Sequence, residues 1–495
     1  MGFRSVMARP FAALVARQTR AWSSRPAQVQ EELRQDLVRR AAQTQFGKDH
    51  GFGDIKTHDD FKRQVPVRDY EALRGYLDRL AGGQANVMWP GKPLYLSKTS
   101  GTTSGVKYIP ITRESMPNHI VSTRNALLSY VYETGRSRFL DGNMIFIQGS
   151  PELETKAGIH TGRLSGIVNH HVPGYLRGNQ LPSWETNVIE DWEQKVDRIV
   201  DETLPARMTL IGGIPPWVQM YFDRIMARTG KRISAVFPDF SLYVYAGVNF
   251  EPYRRKIFES IGNNIDTIEL FPASEGFFAY QDSQSAEGML MVLNSGIFFE
   301  FIPANEYFND KPTRISIGDV ELGKNYALIV NSNAGLWGYS IGDTVKFVSK
   351  DPYRLVVSGR INHFISAFGE HVIGEEVEKA MKGTMARHPE TQVIEFTVAP
   401  QVTPANGLPH HEWLVEFGRQ PDNLGAFAAD LDAQMRDLNT YYNDLVSGSI
   451  LRPLELRPLA KNAFIEYMKR EGKLGGQNKV PRLSNDRKIA DGLLT

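Results

Sequence analysis

The chain of 495 residues contains no cysteine, and this absence removes several classes of chemistry. It excludes disulfide bonds, cysteine nucleophiles and thiolate-bound metal sites. The sequence also lacks any run of about 18 consecutive apolar residues, so it predicts no membrane-spanning helix. An excess of charge of one sign is missing too, since 57 basic and 56 acidic residues leave a net charge of +1. We therefore expect neither nucleic acid nor an anionic membrane as the main partner.

The first 25 residues contain five arginines and no acidic residue. With Ser23 and Ser24 near its end, this segment has the composition of a mitochondrial presequence. However, Phe11, Leu14 and Val15 recur at helical spacing, which favours an amphipathic helix packed on the body of the protein. No long apolar core follows the basic residues, so a secretory signal is not expected. We predict a cytoplasmic protein.

The pattern of strands and helices predicts an α/β protein with two parts. Apolar runs at 143–148, 208–213 and 266–271 read as strands, and helical patterns separate them, which is typical of a layered α/β core. Between residues 277 and 358, short β-like runs separated by glycine and asparagine turns indicate a barrel-like part or a meandering sheet. Helices and strands then alternate in a smaller α+β unit of ordinary domain size. We expect a large N-terminal domain at 1–358 and a mobile C-terminal domain at 359–495.

The glycine-rich segment 97–110, SKTSGTTSGVKYIP, is the first candidate site. Glycines let backbone N–H groups approach a phosphate, and a lysine just beyond adds a point charge. An ordinary surface loop has a similar composition. The segment is not a Walker-type loop, because Val106 stands where the second glycine would be required. The candidate phosphate-binding residues are Ser100, Gly101, Thr102, Thr103, Ser104, Gly105 and Lys107.

Two further motifs carry carboxylates. In LFPASEGFF, residues 270–278, Glu275 follows the end of a predicted strand and could hold Mg²⁺, which prefers one or two carboxylates plus phosphates. In YSIGDT, residues 339–344, Asp343 offers two acceptor oxygens for paired ribose hydroxyls. Taken singly, each carboxylate is equally compatible with an ordinary residue of an exposed turn.

The order of the three motifs, SKTSGTTSGVK, FPASEGFFAYQD and YSIGDTVKF, resembles one known family. The chain is similar to the bacterial form of the auxin-responsive acyl acid amido synthetases of the Gretchen Hagen type, within the adenylate-forming superfamily. The additional Ser104 resembles the amide-forming branch rather than acyl-CoA ligases. Three residues depart from the family motifs, namely Phe271, Ala273 and Ser340, which stand where tyrosine, serine and arginine are usual.

The resemblance implies a role for several residues. Ala273, Ser274, Glu275 and Tyr339 would join the glycine-rich loop and Asp343 in binding the nucleotide. A lysine near the C-terminus would act in catalysis, and Lys479 is the candidate, with Lys461, Lys469 and Lys473 as alternatives. Arg360 lies in a segment that resembles the hinge before the mobile domain and would reach the nucleotide, although a plain linker would have the same sequence.

The activity implied is a two-step ligation that uses ATP and Mg²⁺. A carboxylic acid would be adenylated, and the amine of an amino acid would then take the acyl group, releasing AMP. The expected partners are these two small molecules, with no nucleic acid, and the expected state is a monomer. An acyl-CoA ligase and a non-catalytic nucleotide-binding protein remain as alternatives, and the sequence does not specify the acid or the amine.

Overall fold

The structure of the chain is a computed structural model with two compact units. It describes residues 2–100, 106–172, 174–189, 191–247, 250–361, 364–365, 372–402, 404–447, 451–474, 480–484 and 486–495. The first unit comprises Met1–Ile341 and Val345–Val356, and the second comprises Gly342–Thr344 and Val357–Thr495. The predicted fold, a large N-terminal α/β part and a smaller C-terminal α+β part, is confirmed.

Helices make up most of the first 261 residues. They are α1 (Phe3–Ser23), α2 (Pro26–Ala41), α3 (Gln45–Asp49), α4 (His58–Gln64), α5 (Tyr70–Ala81), α6 (Met116–Thr134), α7 (Leu164–His170), α8 (Gly174–Arg177), α9 (Trp184–Asn187), α10 (Trp192–Thr203), α11 (Pro215–Thr229), α12 (Ile233–Val236) and α13 (Glu251–Ile261). Helix α10 begins at Trp192, because the Asp191 side chain accepts a hydrogen bond from the Gln194 N–H and caps the helix there.

The strands before residue 361 fall into two sheets. They are β1 (Tyr95–Ser100), β2 (Val106–Ile111), β3 (Asn143–Ile147), β4 (Glu154–Lys156), β5 (Ile159–Gly162), β6 (Gln180–Leu181), β7 (Met208–Gly213), β8 (Leu242–Ala246), β9 (Asp266–Ala273), β10 (Gly276–Tyr280), β11 (Met289–Met291), β12 (Ile297–Pro303), β13 (Asn325–Ser332), β14 (Tyr339–Lys350) and β15 (Tyr353–Arg360). Among the described residues, a small sheet has the order β2-β1-β5-β4, and a large one has the order β12-β13-β14-β15-β11-β10-β9-β8-β7-β3-β6.

The large sheet changes character in its middle. Strands β9, β8, β7, β3 and β6 pair in parallel, as expected where helices alternate with strands. From β9 onward, β10 and β11 pair with their neighbours in antiparallel fashion. The change from parallel to antiparallel pairing therefore occurs at the connection between β9 and β10.

The strands predicted as a barrel-like part or a meandering sheet lie in this same large sheet. Strands β12 to β15 are neighbours in chain order there, as in a meander. The side chains of β12 are buried on both faces, and Phe298, Phe299 and Phe301 join one core with Leu37 and Phe61 from the N-terminal helices. Period-two patterning reveals a half-exposed strand, but it cannot indicate which strands are neighbours when both faces are covered.

Helix α1 packs on the body of the first unit, as the helical interpretation of the N-terminus predicts. It contacts α6 through a face of small residues, Ser5, Ala8, Ala12 and Val15, which are buried. Phe11 and Leu14, which the sequence analysis assigned to the packed face with Val15, are instead exposed. No helix in the described part of the chain has the length and apolar character needed to cross a bilayer.

The second unit combines helices and strands, as predicted for a smaller α+β unit. Its elements are β16 (Phe364–Ile365), β17 (Val372–Ile373), β18 (Gln392–Gln401), β19 (His410–Arg419), β20 (Glu455–Leu459), α14 (Gly374–Arg387), α15 (Leu424–Leu438), α16 (Thr440–Ser447), α17 (Ala463–Arg470) and α18 (Lys488–Leu494). Helices α15 and α16 are separated at Asn439. There the Asn439 Oδ1 accepts a hydrogen bond of 2.8 Å from the Tyr442 N–H, which starts a new helix.

Trp337 lies at the centre of the core of the first unit. Its ring packs against Phe46, Phe52 and Phe61, and its Nε1–H donates a 2.9 Å hydrogen bond to the Met88 carbonyl oxygen. The side chain is fully buried. It therefore joins the N-terminal helices to the strands that follow residue 277.

We predict that Trp337→Ala destabilises the first unit by about 3–5 kcal/mol, because a large cavity is left. Trp184→Ala is the matched control. Trp184 is 46% exposed, so its loss should change the unfolding free energy by less than about 1 kcal/mol. Denaturant unfolding measures both values, and equal effects of the two substitutions would contradict this description of the core.

Candidate functional site

The glycine-rich segment connects two strands of a β-hairpin. Strand β1 pairs in antiparallel fashion with β2, and Ser100 stands opposite Val106 at the end of the pairing. The predicted residues Gly101, Thr102, Thr103, Ser104 and Gly105 lie outside the described residues, and of Ser100 only the backbone is described. What the structure does define is the stem of this loop and the side chains around it.

Tyr70 supports the stem of the loop. Its hydroxyl accepts a 3.0 Å hydrogen bond from the Tyr108 N–H, and the Lys107 Nζ lies 5.3 Å from the centre of its ring. Burial raises the pKa of the Tyr70 phenol, so this side chain remains protonated at neutral pH. Lys107 is thus held beside the loop by a cation–π contact. Tyr70 carries no motif, which is why sequence reasoning did not find it.

The second motif forms the tight turn between β9 and β10. Ala273 stands opposite Gly276, so Ser274 and Glu275 are the two turn residues. The Ser274 hydroxyl lies 2.9 Å from the hydroxyl of Ser97, a fully buried residue of β1. This hydrogen bond ties the stem of the glycine-rich loop to the carboxyl end of a parallel strand, the position where open α/β sheets bind ligands.

Tyr339 joins the third motif to the second. Its hydroxyl makes a long hydrogen bond of 3.5 Å to the Glu275 Oε1. Burial, together with the negative charge of Glu275, raises the pKa of the Tyr339 phenol well above its ordinary value. The phenol therefore acts as a donor to Glu275 at any physiological pH. Through this contact and the one between Ser97 and Ser274, the structure brings parts of all three motifs together.

The backbone before Tyr339 is held by the segment that precedes α5. The Arg68 N–H donates to the Gly338 carbonyl oxygen, and the Ser340 N–H donates to the Arg68 carbonyl oxygen, both at 2.8 Å. Gly338 has a φ of +56°, and a Cβ there would lie 2.4 Å from the Pro66 carbonyl oxygen. Only glycine fits this position without strain.

Ser340, the departure from the family arginine, is buried and accepts a 2.8 Å hydrogen bond from the Tyr307 hydroxyl. A small residue is suited to this place because Tyr307 occupies the adjoining space. The departure at Phe271 has a different environment, since its ring packs edge-on against the Phe278 ring in the core.

The buried carboxylate of Glu300, in β12, is linked to the backbone before Tyr339. It pairs with Arg314, accepts from the Asn331 amide at 3.0 Å, and lies 2.8 Å from the His58 Nε2. The Asn331 Oδ1 in turn accepts a 2.6 Å hydrogen bond from the Gly338 N–H. A chain of hydrogen bonds therefore runs from Glu300 to the residue before Tyr339. A charged residue within the apolar run FFEFI was the available sequence signal.

Three predicted residues are less fully defined. Asp343 is half-buried in β14 and follows Gly342, whose φ is +83°. Arg360 ends β15, and its side chain lies outside the described residues, as does all of Lys479. Of the alternative lysines, Lys469 pairs with Glu466 at 3.3 Å and Lys473 with Glu471 at 3.8 Å. Both are surface ion pairs of small energetic value.

The turn carboxylate fits a metal ion shared with a substrate rather than a resident metal. In the described residues, no group of three or more histidine, aspartate or glutamate side chains could hold an ion on its own. Mg²⁺ needs only one or two carboxylates when substrate phosphates supply other oxygens. Glu275, half-buried at the turn, meets that requirement.

We predict that Glu300→Gln lowers the free energy of unfolding at neutral pH by about 3–5 kcal/mol, because it leaves Arg314 buried without its counter-charge. Although burial alone would raise it, the pKa of the Glu300 carboxyl is lowered by Arg314 and His58. The carboxylate therefore stabilises the fold above its unfolded-state pKa of 4.5, and this contribution is lost as the pH falls through the lower folded-state value.

Denaturant unfolding from neutral to acidic pH tests this prediction. The gap between the wild type and Glu300→Gln should narrow below pH 4.5. The control, Glu259→Gln, removes a charge from an exposed pair with Arg255 and should change stability by less than about 1 kcal/mol. A gap that is independent of pH would contradict the assignment.

Comparison with known proteins places the chain in a family. Models of the GH3 family N-terminal, central and C-terminal domains match residues 15–185, 290–360 and 375–488. Indole-3-acetic acid-amido synthetase GH3.3 of Arabidopsis thaliana is 22% identical, over 92% of this chain and 89% of that protein. The solved structure of GH3.15 acyl acid amido synthetase superposes with a TM-score of 0.81 at 16% identity, covering 98% and 96% of the two chains.

A second solved structure has the same fold at greater distance. A 2-hydroxyisobutyryl-CoA ligase in the postadenylation state superposes with a TM-score of 0.61 at 14% identity, covering 94% of this chain and 91% of that one. The fold is therefore shared with adenylate-forming ligases. With all three of the family's domains matched, in order and over most of its length, the chain belongs to the GH3 family.

Proposed function

We propose that the chain is an acid–amino acid ligase that works through an acyl-adenylate. The observation that supports this most strongly is the meeting of the glycine-loop stem, the Ser274–Glu275 turn and Tyr339 at the carboxyl end of β9. Membership of the GH3 family supports the same reaction, because the named relatives are amido synthetases that join an acid to an amino acid.

The first half-reaction activates the acid. A carboxylate oxygen of the acid attacks the α-phosphorus of ATP, the bond to the β-phosphate breaks, and pyrophosphate leaves. We assign Ser100 and residues 101–105 to the phosphates, with Lys107 beside them. Asp343 would take the ribose hydroxyls, and the turn around Ala273 and Ser274, with Tyr339, would contact the nucleotide.

Glu275 is the proposed ligand of Mg²⁺. When bound with ATP, the ion neutralises phosphate charge and favours departure of pyrophosphate. Tyr339 remains protonated and donates to Glu275, which orients the carboxylate. The chain from Glu300 through Asn331 to Gly338 holds Tyr339 in place, so it acts on the reaction only through position.

The second half-reaction forms the amide. The amine of the amino acid attacks the carbonyl carbon of the adenylate, the bond from that carbon to the phosphate oxygen breaks, and AMP and a proton leave. We assign Lys479 to the developing charge on the phosphates in the first step and Arg360 to the nucleotide. The C-terminal domain would move between the two steps.

The class of substrate follows from the family, while the individual acid does not. Relatives that are 22–23% identical are named for jasmonoyl and indole-3-acetic acid conjugates. We keep carboxylic acids and amino acids as the substrate classes. A bacterial form of the family, a monomeric state and a cytoplasmic location remain predictions.

We predict ATP–pyrophosphate exchange that depends on a carboxylic acid and on Mg²⁺. Glu275→Gln should raise the Mg²⁺ concentration needed for half-maximal exchange by at least about tenfold. Loss of a residue that only supports a metal ligand already lowers metal affinity by about tenfold or more. Glu287→Gln, at an exposed glutamate, is the matched control. The absence of exchange across a broad panel of acids would favour mere nucleotide binding.

We predict that the product with mixed amino acids is an amide, as judged by mass. Incubation with ATP, the active acid, CoA and amino acids together offers both acceptors at once. Formation of the thioester alone would overturn the amide assignment while leaving the adenylation step intact.

We predict that Lys479→Ala slows exchange by about 100- to 1,000-fold, the loss typical of removing a donor to transition-state charge. Lys473→Ala, at the alternative lysine that pairs with Glu471, should leave the rate within a few-fold of the wild type. If the slow variant were Lys473→Ala instead, the catalytic role would belong to that lysine.

A further inference from the structure

Over residues 3–15, helix α1 carries its larger apolar side chains on the side that faces solvent, whereas Trp22 near its end packs against the core. A helix at a protein surface ordinarily turns its apolar side to the core and its polar side outward. Here the buried face is made of small residues, Ser5, Ala8, Ala12 and Val15. The exposed side chains are larger and apolar, with exposures between 41% and 80%: Phe3, Val6, Met7, Phe11 and Leu14.

Hydrogen bonds fix this orientation at the start of the helix. The Gly2 N–H donates to the Asp141 Oδ2 at 2.6 Å. The buried Ser5 hydroxyl lies 2.6 Å from the same oxygen and 2.8 Å from the Ser137 carbonyl oxygen. Rotation of α1 to bury its larger residues would break these hydrogen bonds, and no equivalent hydrogen bonds would replace them. The outward apolar face is therefore a property of the folded unit.

Positive charge surrounds this face. The first acidic residue of the chain is Glu31, and Arg9, Arg17 and Arg20 on α1 are all exposed. Arg17 lies on the same side of the helix as Phe3 and Leu14, by the helical repeat. The net charge of +1 for the whole chain conceals this local concentration.

The positive charge continues from α1 onto the body of the first unit. A cleft of about 430 Å³ beside the helix is lined by Arg9, Arg136 and Arg138, with Asp266 as its acidic residue. Asp266 is already paired with Arg136, so the cleft keeps an excess of positive charge. An arginine-lined cleft of this size suits the phosphate of a lipid headgroup.

We propose that α1 docks the protein on the surface of an anionic phospholipid bilayer. The helix lies in the plane of the interface, its outward apolar side chains enter the acyl-chain region, and the arginines contact lipid phosphates. Basic helices with phenylalanine and leucine on one face bind membranes in this way without spanning them. The arginines outnumber Asp141 and Asp266 around α1, and this excess of positive charge beside an apolar face favours an anionic bilayer. The proposal concerns α1 and does not rest on the proposed function.

Flotation with vesicles tests the proposal on the full chain. Vesicles of equimolar phosphatidylcholine and phosphatidylglycerol should carry the protein, and vesicles of phosphatidylcholine alone should not. Raising the salt from about 0.1 M to about 1 M shortens the Debye length from about 10 Å to about 3 Å and should weaken the binding. Equal recovery with both kinds of vesicle, or with neither, would overturn the proposal.

Matched substitutions separate the apolar and the electrostatic contributions. Leu14→Ser should weaken binding to the anionic vesicles by about tenfold, whereas Leu322→Ser, at a leucine of similar exposure away from α1, should not change it. Arg17→Glu, which leaves the apolar face intact, should weaken binding as well. Unchanged thermal unfolding midpoints confirm that each variant folds.

One further outcome would assign the face to a different occupant. Light scattering as a function of protein concentration reports self-association in the absence of lipid. A dimer that Leu14→Ser dissociates, together with no binding to vesicles, would overturn membrane docking and show that a second copy of the chain covers α1.

Discussion

The turn formed by Ser274 and Glu275 is the constraint on which the candidate site depends. It stands where the large sheet changes from parallel to antiparallel pairing, at the carboxyl end of β9. Because the turn has only two residues, both side chains must project from the end of the sheet. Ser274 then meets Ser97 of the loop stem, and Glu275 meets Tyr339. A longer connection would leave neither contact defined.

A second requirement is that hydrogen bonds to the preceding residue, Gly338, hold Tyr339 in position. Glu300 breaks the apolar pattern of β12, and a buried charge is costly unless it is paired and hydrogen-bonded. Arg314 and Asn331 satisfy it, and Asn331 passes the constraint to the N–H of Gly338. The local departure from strand patterning is thus part of a network that ends beside the candidate site. The stability of the fold and the position of Tyr339 in the candidate site depend here on the same residues.

The N-terminal helix α1 differs from an ordinary surface helix in which of its side chains are buried. Over residues 3–15 its small residues face the core and its larger apolar ones face solvent, an arrangement that the hydrophobic effect disfavours unless the outer face meets an apolar phase. The excess of arginine around the helix favours an anionic bilayer as that apolar phase.

The sequence by itself determined the alternation of strands and helices, the smaller α+β unit at the C-terminal end, and the three motifs, because these depend on local periodicity and residue chemistry. Only the tertiary structure decided that Ser97 meets Ser274, 177 residues away, and that Leu14 faces solvent while Val15 is buried. The tertiary structure also placed Tyr70 against Tyr108 of the loop stem and Asn331 against Gly338, the residue before Tyr339. Such contacts arise when helices and strands that are distant in sequence pack together. A periodic pattern shows that an element has an apolar face, but not which element covers that face.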